Sequence, residues 1–455
     1  MSQARSIAYA ILNQVDKGRH TLDYRMELAA PQIQQLGRAD RALLHTLVYG
    51  VQRWRKRLDW IIDHLAVRSS TKIDPPVRNV LRMGLFQLLF LDRVPTSAAV
   101  NTSVDLIKRH RRSWAAGFVN GLLRQAARIS DAMPYPDPAQ SPVYALAVMH
   151  SIPCWLTERW IERGGMEEAV NLCMAINTIP GLTLRTNTLK TNRQELMTQI
   201  SPEVSTLEPA ALVPEGICCT APHRPLNLWP TFVKGWFQVQ DEAAQLVAHL
   251  LAPKPGERVW DACSGMGTKT AHLAQLMHNQ GSILATDKYA DKLKRLNQEM
   301  QRLGITIVQS RALDLEQMEN DYSLPLFDRI LVDAPCSGLG VLRKNPDGKW
   351  RIKPEDLVRH GQRQGLLLSH AARQLKPDGL MVYAVCSFEP EESTAVVQGF
   401  LQKHPEFVIH RPKMVALQGT DRMIRSQGFM YTLPHRHGMD GFFAAALGRK
   451  KNAGI

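Results

Sequence analysis

The 455-residue chain lacks several features that mark whole classes of protein. No stretch approaches 18 uncharged apolar residues, and the most apolar helix candidate, residues 81–91, is short and carries Arg82. A membrane span is therefore not expected. The N-terminus has charge within its apolar pattern and no small-residue cleavage site, so it predicts an amphipathic helix rather than a secretion signal. These absences favour a cytoplasmic protein.

Cysteine is scarce, and its spacing excludes two kinds of site. The seven cysteines are odd in number and include no C-x-x-C pair, which argues against a zinc site and against a disulfide framework. No metal is expected. Reduced thiols, as in the cytosol, are the simplest account, and in that setting a single cysteine can serve as a nucleophile.

Acidic residues are too few to balance the basic ones. The net charge is +14, and the isoelectric point is near 9.6. Residues 1–135 hold 21 Lys and Arg but 10 Asp and Glu, so this part alone carries +11. Concentrated basic residues favour a polyanionic partner, because they displace counterions from phosphate backbones. A scattered, solvated basic surface fits this uneven distribution less well.

Residues 1–132 have the apolar spacing of an all-helical domain. Two basic clusters in it each contain a tryptophan: cluster one, residues 53–57, and cluster two, residues 108–114. Basic side chains beside an aromatic ring suit phosphate contact and base stacking, although a solvated helix face with a core tryptophan explains either cluster equally well. The candidate nucleic-acid contacts are Arg53, Arg55, Lys56, Arg57, Lys108, Arg109, Arg111 and Arg112.

The rest of the chain predicts a linker and two further domains. Residues 133–142 hold four prolines and read as the linker. Residues 143–235 combine helix-like stretches with strand-like alternation at 182–187, as in a small α+β domain. Residues 236–455 alternate strands with helices, which predicts a parallel, doubly wound sheet with helices on both faces. The strand candidates are Arg258–Ala262, Ser282–Thr286, Thr306–Ser310, Arg329–Val332, Leu380–Ala384 and Phe442–Leu447.

A glycine-containing loop follows the first strand of this sheet, at the edge where such sheets bind ligands. Gly265 and Gly267 permit a tight turn and a close backbone approach to a ligand. A phosphate-binding loop is a rival interpretation, but Thr268 stands where that motif requires glycine before Lys269. A nucleoside-bearing ligand fits better.

Two acidic residues follow the next strands. Asp287 ends the second strand, where a carboxylate suits ribose hydroxyls, an arrangement that dinucleotide sites share. Asp314 follows the third strand and fits either an adenine contact or a helix cap.

Two cysteines, Cys336 and Cys386, come directly after two strands of the same predicted sheet, and each is followed by serine. A lone cysteine is usually a small buried hydrophobe, but two at the ligand-binding edge indicate chemistry. Methylation of a pyrimidine at C5 requires covalent catalysis, in which a thiolate adds to C6 and a second cysteine or a nearby base assists the elimination. Asp333 is placed to hydrogen-bond the cytosine ring or its amino group.

These motifs resemble the bacterial ribosomal RNA cytosine-C5 methyltransferases of the Sun/Fmu (RsmB) type, over nearly the whole chain. The most specific motifs are DAPCSGLGVLRKNPDGKW and YAVCSFEPEES, each of which contains one of the two cysteines. The matching segments are residues 81–101 and 118–124, similar to the NusB-type RNA-binding domain, and residues 235–245, 333–350, 383–393 and 440–447.

The resemblance implies a multidomain fold: an all-α NusB-like domain (1–132), a small α+β accessory domain (143–235) and a C-terminal α/β Rossmann-like class I methyltransferase domain (236–455). It implies S-adenosylmethionine as cofactor and a monomer that methylates C5 of one cytosine in 16S small-subunit rRNA, before or during subunit assembly. It makes Cys386 the nucleophile and Cys336 the residue that assists product release. The implied cofactor contacts are Cys263, Ser264, Gly265, Met266, Gly267, Thr268, Lys269, Asp287, Asp314 and Asp333.

The chain departs from the family pattern mainly in the cofactor loop, where Met266 replaces a usual proline and Thr268 a usual glycine. Val385, Gly348 and Ser393 also differ, and none of the changes removes a reacting group. Three alternatives stay open: an RNA-binding assembly or antitermination-like factor with a decayed cofactor site, a DNA cytosine methyltransferase, and a related C5 methyltransferase acting on transfer RNA or another ribosomal site. The paired cysteines and the NusB-like domain favour the ribosomal RNA enzyme.

Overall fold

The computed structural model describes residues 3–66, 73–318, 324–411, 419–425 and 427–450. They form two compact units: Met1–Thr178 with Leu342–Ile352, and Ile179–Val341 with Lys353–Ile455. None of the described helices combines the length and apolarity that a membrane crossing requires.

Helices and strands are numbered along the chain. The helices are α1 Gln3–Val15, α2 Leu22–Leu28, α3 Ala30–Gln34, α4 Arg38–Leu65, α5 Pro75–Phe90, α6 Thr96–Arg109, α7 Ala116–Arg128, α8 Pro142–Met149, α9 Cys154–Ile176, α10 Arg193–Ile200, α11 Pro230–Val233, α12 Glu242–Leu251, α13 Thr268–Leu276, α14 Ala290–Leu303, α15 Gly348–Arg351, α16 Pro354–Ala372, α17 Thr394–Lys403 and α18 Pro434–His437. The strands are β1 Leu182–Thr186, β2 Thr206–Pro209, β3 Gly216–Thr220, β4 Phe237–Val239, β5 Arg258–Asp261, β6 Ser282–Asp287, β7 Val308–Ala312, β8 Phe327–Asp333, β9 Leu375–Val385, β10 Phe407–Ile409, β11 Met430–Thr432 and β12 Phe442–Arg449.

The described part of the first unit is helical, which confirms the predicted all-α N-terminal domain. Helix α5 buries residues on most of its circumference, and these include the polar side chains of Asn79, Arg82 and Gln87 beside apolar ones. Gly50 of α4 meets the ring of Phe86 of α5 where any side chain would collide. After the proline-rich segment, α8 begins at Pro142, whose missing N–H is no loss at a first helical position. Helices α8 and α9, which the sequence analysis grouped with the small α+β domain, belong to this first unit.

Residues 342–352 belong to the first unit although they follow one of the cysteine motifs of the second. Lys349 is buried, and its Nζ donates to the carbonyl of Arg53 at 2.8 Å. Trp350 Nε1 donates to the carbonyl of Gln52 at 2.8 Å. Burial holds the pKa of Lys349 well below its ordinary value. The segment is thus anchored to α4 by the buried side chain of Lys349 and the half-buried ring of Trp350.

The second unit begins with a four-stranded antiparallel sheet in the order β2-β3-β1-β4. Its core includes Leu184, Ile217, Trp229 and Phe237. The sequence pattern predicted β1 alone. Strand β4 lies just past the predicted border at residue 235.

The larger sheet has the order β10-β12-β9-β8-β5-β6-β7, with β11 paired to β12. Strands β5 to β9 are parallel and β12 runs antiparallel to β9, so the predicted doubly wound sheet is confirmed with an antiparallel edge. Leu331 and Val382 pack on one face with helices α12 to α14, and Ile330 and Tyr383 pack on the other with α16 and α17. Both faces are therefore covered, which explains why these strands read as continuous apolar runs.

Candidate active site

The carboxyl ends of β5, β6, β8 and β9 meet at one edge of the larger sheet and enclose a cavity of about 270 Å³. Parallel strands bring these ends together, so residues from distant motifs become neighbours. The cavity walls include eight of the predicted site residues: Cys263, Gly265, Lys269, Asp287, Asp314, Asp333, Cys336 and Cys386.

The loop after β5 owes its shape to glycine. Gly267 has φ +85°, and a Cβ there would lie 2.6 Å from Leu296 Cγ, so both its conformation and its packing require glycine. Ser264 donates from its N–H and its hydroxyl to the carbonyl of Thr286, at 2.8 and 3.1 Å, which ties the loop to β6. These residues shape the loop and are not among the cavity walls.

The two departures in this loop lie outside the cavity walls. The Met266 side chain is 54% exposed, and Thr268 is the first residue of α13. Neither side chain intrudes on the space beside Gly265. The altered loop therefore keeps its turn and its opening.

Asp261, which the sequence analysis did not single out, is a fully buried carboxyl at the base of the loop. It accepts a hydrogen bond from Thr270 Oγ1 at 2.6 Å, which fixes the first turn of α13. Burial raises the pKa of Asp261 to about 7. A carboxyl that ends a strand and is followed by a glycine turn was the signal available in the sequence.

Asp287 and Asp314 both have local backbone partners. Asp287 accepts from the N–H of Tyr289 at 2.9 Å and pairs with Lys292 Nζ at 3.2 Å. Asp314 accepts from the N–H of Glu316 at 3.1 Å and caps a short 3₁₀ helix, so the cap interpretation fits, while the residue also lines the cavity.

The sequence analysis missed an ion pair at the cavity wall. Arg363 of α16 donates from Nε to Glu316 Oε1 at 2.7 Å, and Lys288 lies 3.4 Å from the same oxygen. All three residues line the cavity. Arg363 comes from the middle of a helix, where no strand-end pattern marks it.

The two predicted catalytic cysteines lie side by side, with 3.3 Å between Cys336 Sγ and Cys386 Sγ. The hydrogen bond to Cys386, together with burial, holds the pKa of Cys336 well above its ordinary value. The two backbones are also joined, because Gly340 N donates to the carbonyl of Cys386 at 3.0 Å and Gly441 N to that of Gly340 at 2.8 Å. The loops after β8 and β9 are thus held as one piece.

Asp333 pairs with a lysine from the cofactor loop, since Lys269 Nζ lies 2.6 Å from its Oδ2. Burial lowers the pKa of Lys269, but the charge of Asp333 and this hydrogen bond outweigh burial and leave it raised. The glycine loop and the first cysteine motif therefore meet through a charged pair inside the cavity.

Comparison with known proteins matches these features to one family. Residues 248–448 match the 16S rRNA methyltransferase RsmB/F family, residues 2–128 the NusB family, and residues 152–224 the ferredoxin-like domain of RsmF/B-like methyltransferases. A probable ribosomal RNA small subunit methyltransferase B from Synechocystis sp. is 36% identical over 98% of this chain and 99% of its own. The corresponding Bacillus subtilis protein is 34% identical over 91% of this chain and 92% of its own.

The chain belongs to the RsmB/F methyltransferase family. Solved structures agree with this membership. The crystal structure of PH0851 is similar to this RsmB/F chain with a TM-score of 0.82 at 28% identity, covering 98% of both chains. A methyltransferase homolog protein from Pyrococcus horikoshii covers 68% of this chain and 99% of its own, with a TM-score of 0.58 at 26% identity.

In this RsmB/F chain a triad of Glu215, His249 and His272 joins the residue before β3 to helices α12 and α13. His249 Nε2 and His272 Nε2 lie 2.7 and 2.5 Å from the same Oε1 of Glu215. Two atoms that bind the same tetrahedral zinc ion lie roughly 3.3 Å apart, which is longer than either of these distances. The geometry is therefore that of two hydrogen bonds to one carboxylate oxygen. Burial lowers the pKa of His272 to about 3, which leaves it a neutral donor.

Cluster one of the NusB-like part is mostly engaged within the protein. Arg53 is buried and donates to the carbonyls of Ile176, Thr178 and Arg343 at 3.2, 3.3 and 2.8 Å, so it does not fit the expected RNA contact. Its neighbours have partners too: Arg55 pairs with Asp16, Arg57 donates to the hydroxyl of Tyr135, and Lys56 lies over the ring of Tyr144.

Cluster two has the opposite character. Lys108, Arg109 and Arg111 are exposed, and the Trp114 side chain is 73% exposed. Arg112 is half-buried and pairs with Asp74 at 2.6 Å. Of the two clusters, this one leaves cations and an aromatic face open to a partner.

Proposed function

We propose that this chain methylates C5 of a specific cytosine in 16S rRNA, with S-adenosylmethionine as methyl donor and a covalent bond between Cys386 and cytosine C6. The 3.3 Å approach of the Cys336 and Cys386 thiols inside one cavity carries the proposal. Membership of a family named for 16S rRNA methylation, and relatives named small subunit methyltransferase B, support this substrate.

The residues of the cavity fit the proposed cofactor. Asp287 would hold ribose hydroxyls, Asp314 would contact the adenine end, and the loop Cys263–Lys269 has the positive-φ glycines that would let a ligand approach the backbone. S-adenosylmethionine, when bound, supplies an electrophilic methyl group.

The two cysteines have different roles in this proposal: Cys386 is the nucleophile and Cys336 is a hydrogen-bond donor. Addition of the Cys386 thiolate to C6 makes C5 nucleophilic. Cys336 holds its proton more tightly than an ordinary thiol, so it remains a donor beside the reacting sulfur. Once C5 is methylated, the Asp333 carboxylate or a water molecule accepts the C5 proton, the electron pair of that C–H bond forms the C5=C6 double bond, and Cys386 leaves C6 as a thiolate. Cys336 assists by donating a hydrogen bond to the departing sulfur. Asp333, held by Lys269, orients the cytosine amino group.

Cluster two provides the RNA contact in this proposal. Lys108, Arg109 and Arg111 face solvent and neutralise phosphates, and Trp114 offers a ring on which an unpaired base can stack. Action before or during subunit assembly, a monomeric state and a cytoplasmic location stay predictions.

The decisive experiment compares Cys336→Ala and Cys386→Ala. Each variant is mixed with S-adenosylmethionine and unmodified small-subunit rRNA, and denaturing gels report any covalent protein–RNA adduct. We expect Cys336→Ala to accumulate a stable adduct, because release is impaired, and Cys386→Ala to form none and to methylate nothing. Cys154→Ala, a cysteine of the first unit, serves as the matched control and should behave as wild type.

Other outcomes would redirect the proposal. An adduct or methylation by Cys386→Ala would make Cys336 the nucleophile. RNA binding without methylation by the wild-type protein on every RNA tried would favour the binding-factor alternative.

A further inference from the structure

Glu392 is a fully buried carboxylate six residues after Cys386, at the end of a short 3₁₀ helix. Its Oε1 accepts the N–H of Ser337 at 2.7 Å, and its Oε2 accepts the Ser337 hydroxyl at 2.5 Å. Both carboxylate oxygens are therefore used on the residue that follows Cys336.

The residue before Cys336 is held from the same side. Gln364 Nε2 donates to the carbonyl of Pro335 at 2.9 Å and lies 3.4 Å from Glu392 Oε1. Tyr383 donates its hydroxyl to the backbone carbonyl of Glu392 at 2.6 Å. We call Glu392, Gln364 and Tyr383 the Cys336 clamp, because their bonds fix the backbone on both sides of that thiol.

The chemistry of the clamp favours a carboxylate. A glutamine at position 392 has one acceptor oxygen, so it can accept the Ser337 N–H but meets the Ser337 hydroxyl with an amide that donates. A buried charge is costly and persists only where hydrogen bonds compensate it, as they do here. Apolar side chains could pack at this position without that cost. The presence of a carboxylate therefore indicates a role at the neighbouring Cys336 thiol.

The charge of Glu392 also acts on Cys336. It adds to the hydrogen bond from Cys386 and to burial in raising the pKa of Cys336. Other ionisable groups near the two thiols and Glu392 are Tyr383, Cys263, Lys269, Asp333, Arg363 and His360.

We propose that Glu392 is a positioning residue of the methyl-transfer reaction, which sets the Cys336 thiol against Cys386 through its two hydrogen bonds to Ser337. The inference rests on the proposed roles of the two cysteines. Its effect is on product release, because Cys336 and not Cys386 is the thiol that the clamp holds.

The first test needs neither RNA nor cofactor. The full-length Glu392→Gln protein is treated with iodoacetamide from pH 7 to pH 10, and mass spectrometry follows alkylation of Cys336. We expect Cys336 of the variant to be alkylated several times faster than in the wild type across this pH range, because the nearby negative charge is gone and more of the thiol ionises. Buried Cys219, which belongs to the same unit as Glu392, should stay protected in both proteins, which would show that this unit is folded. An unchanged Cys336 profile would overturn the proposal.

The second test follows the reaction. For Glu392→Gln we expect the kcat for methylation to fall at least tenfold, the KM for S-adenosylmethionine to stay within about twofold, and the RNA adduct to accumulate. Glu392→Asp, which keeps the charge, should recover part of the kcat. Glu391→Gln, the neighbouring acid of the same short helix, is the matched control. Loss of the adduct together with activity would contradict a role confined to Cys336.

Ser337→Ala covers the case in which Glu392→Gln does not fold. It deletes one of the two bonds and keeps the charge, so we expect a smaller fall in kcat and a smaller change in the alkylation rate of Cys336 than for Glu392→Gln. A wild-type kcat for this variant would count against the clamp. If Cys336→Ala itself forms no adduct, the proposed function fails, whereas the alkylation profile still tests the clamp.

Discussion

The two basic clusters of the first unit have nearly the same composition and opposite surroundings. Cluster one surrounds Trp54, which stacks on Phe90 with 4.8 Å between ring centroids, and its Arg53 is 5% exposed. Cluster two surrounds Trp114, which is 73% exposed. The contrast teaches that basic residues beside a tryptophan mark an RNA contact only where tertiary partners have not already taken the donors.

Arg53→Met is the change that should separate the clusters most. It leaves three carbonyls without their charged donor, and hydrogen bonds to a charged group contribute about 1.5–3 kcal/mol each in favourable cases. We expect the free energy of unfolding to fall by about 3 kcal/mol, measured by urea denaturation. Arg109→Met, the same substitution at an exposed site, should change it by less than about 0.5 kcal/mol. Equal effects at the two positions would remove the distinction.

Trp114→Ala tests whether the exposed ring has a partner. Stacking of a base on an aromatic side chain contributes about 1–3 kcal/mol, so we expect RNA affinity to weaken by about tenfold or more, with an unchanged melting temperature. Filter binding with an rRNA fragment measures the first quantity and thermal denaturation the second. Trp54→Ala is the counterpart and should lower the melting temperature instead. A lower melting temperature for Trp114→Ala would place that ring in the core.

The double variant Lys108→Gln with Arg109→Gln tests how much of the RNA affinity comes from charge. Each lost phosphate contact should lower the slope of log K against log salt by about 0.7–0.9, so the slope should fall by about 1–2. The control removes two exposed charges elsewhere, Arg128→Gln with Lys403→Gln. The same change in slope for both doubles would mean that no local RNA contact exists in cluster two.

Asp74→Asn should have the smallest effect of these changes, and it should lower stability while it strengthens RNA binding. Its pair with Arg112 is partly exposed, at 33% and 32% of the side chains, so its loss should cost less than about 1 kcal/mol of stability. The freed guanidinium should tighten RNA binding slightly at low salt, and this gain should vanish above about 0.5 M salt because of screening. Weaker RNA binding by Asp74→Asn would mean that the pair itself faces the RNA.

Sequence reasoning located the larger sheet because its strands are buried on both faces. The apolar residues within β5, β6, β8 and β9 alternate along the chain with helical stretches and can be read directly, and the parallel order then brings the two cysteine motifs to one edge. Strand β7 begins two residues later than expected. Strands β10 and β11 have three residues each, too few for any periodicity to register.

The Cys336 clamp and the burial of Arg53 could not be predicted in the same way. Glu392 lies in a run of acids that reads as an ordinary helix start, and its partner Ser337 is 55 residues away. Arg53 donates its hydrogen bonds to carbonyls more than 120 residues further along the chain. Such roles depend on which backbone groups the fold brings close, and no local pattern encodes that.

The return of residues 342–352 to the helical unit bears on how this protein could have been assembled in evolution. The backbone crosses between the units three times, at 178–179, 341–342 and 352–353. A single recombination event at the first crossing would deliver a catalytic chain whose Lys349 and Trp350 had lost their carbonyl acceptors on α4. Buried donors without partners are strongly disfavoured, so exchange of the helical part alone would destabilise the segment that holds Lys349 and Trp350. An exchange of the helical unit would have to preserve the acceptors on α4 that this eleven-residue segment uses.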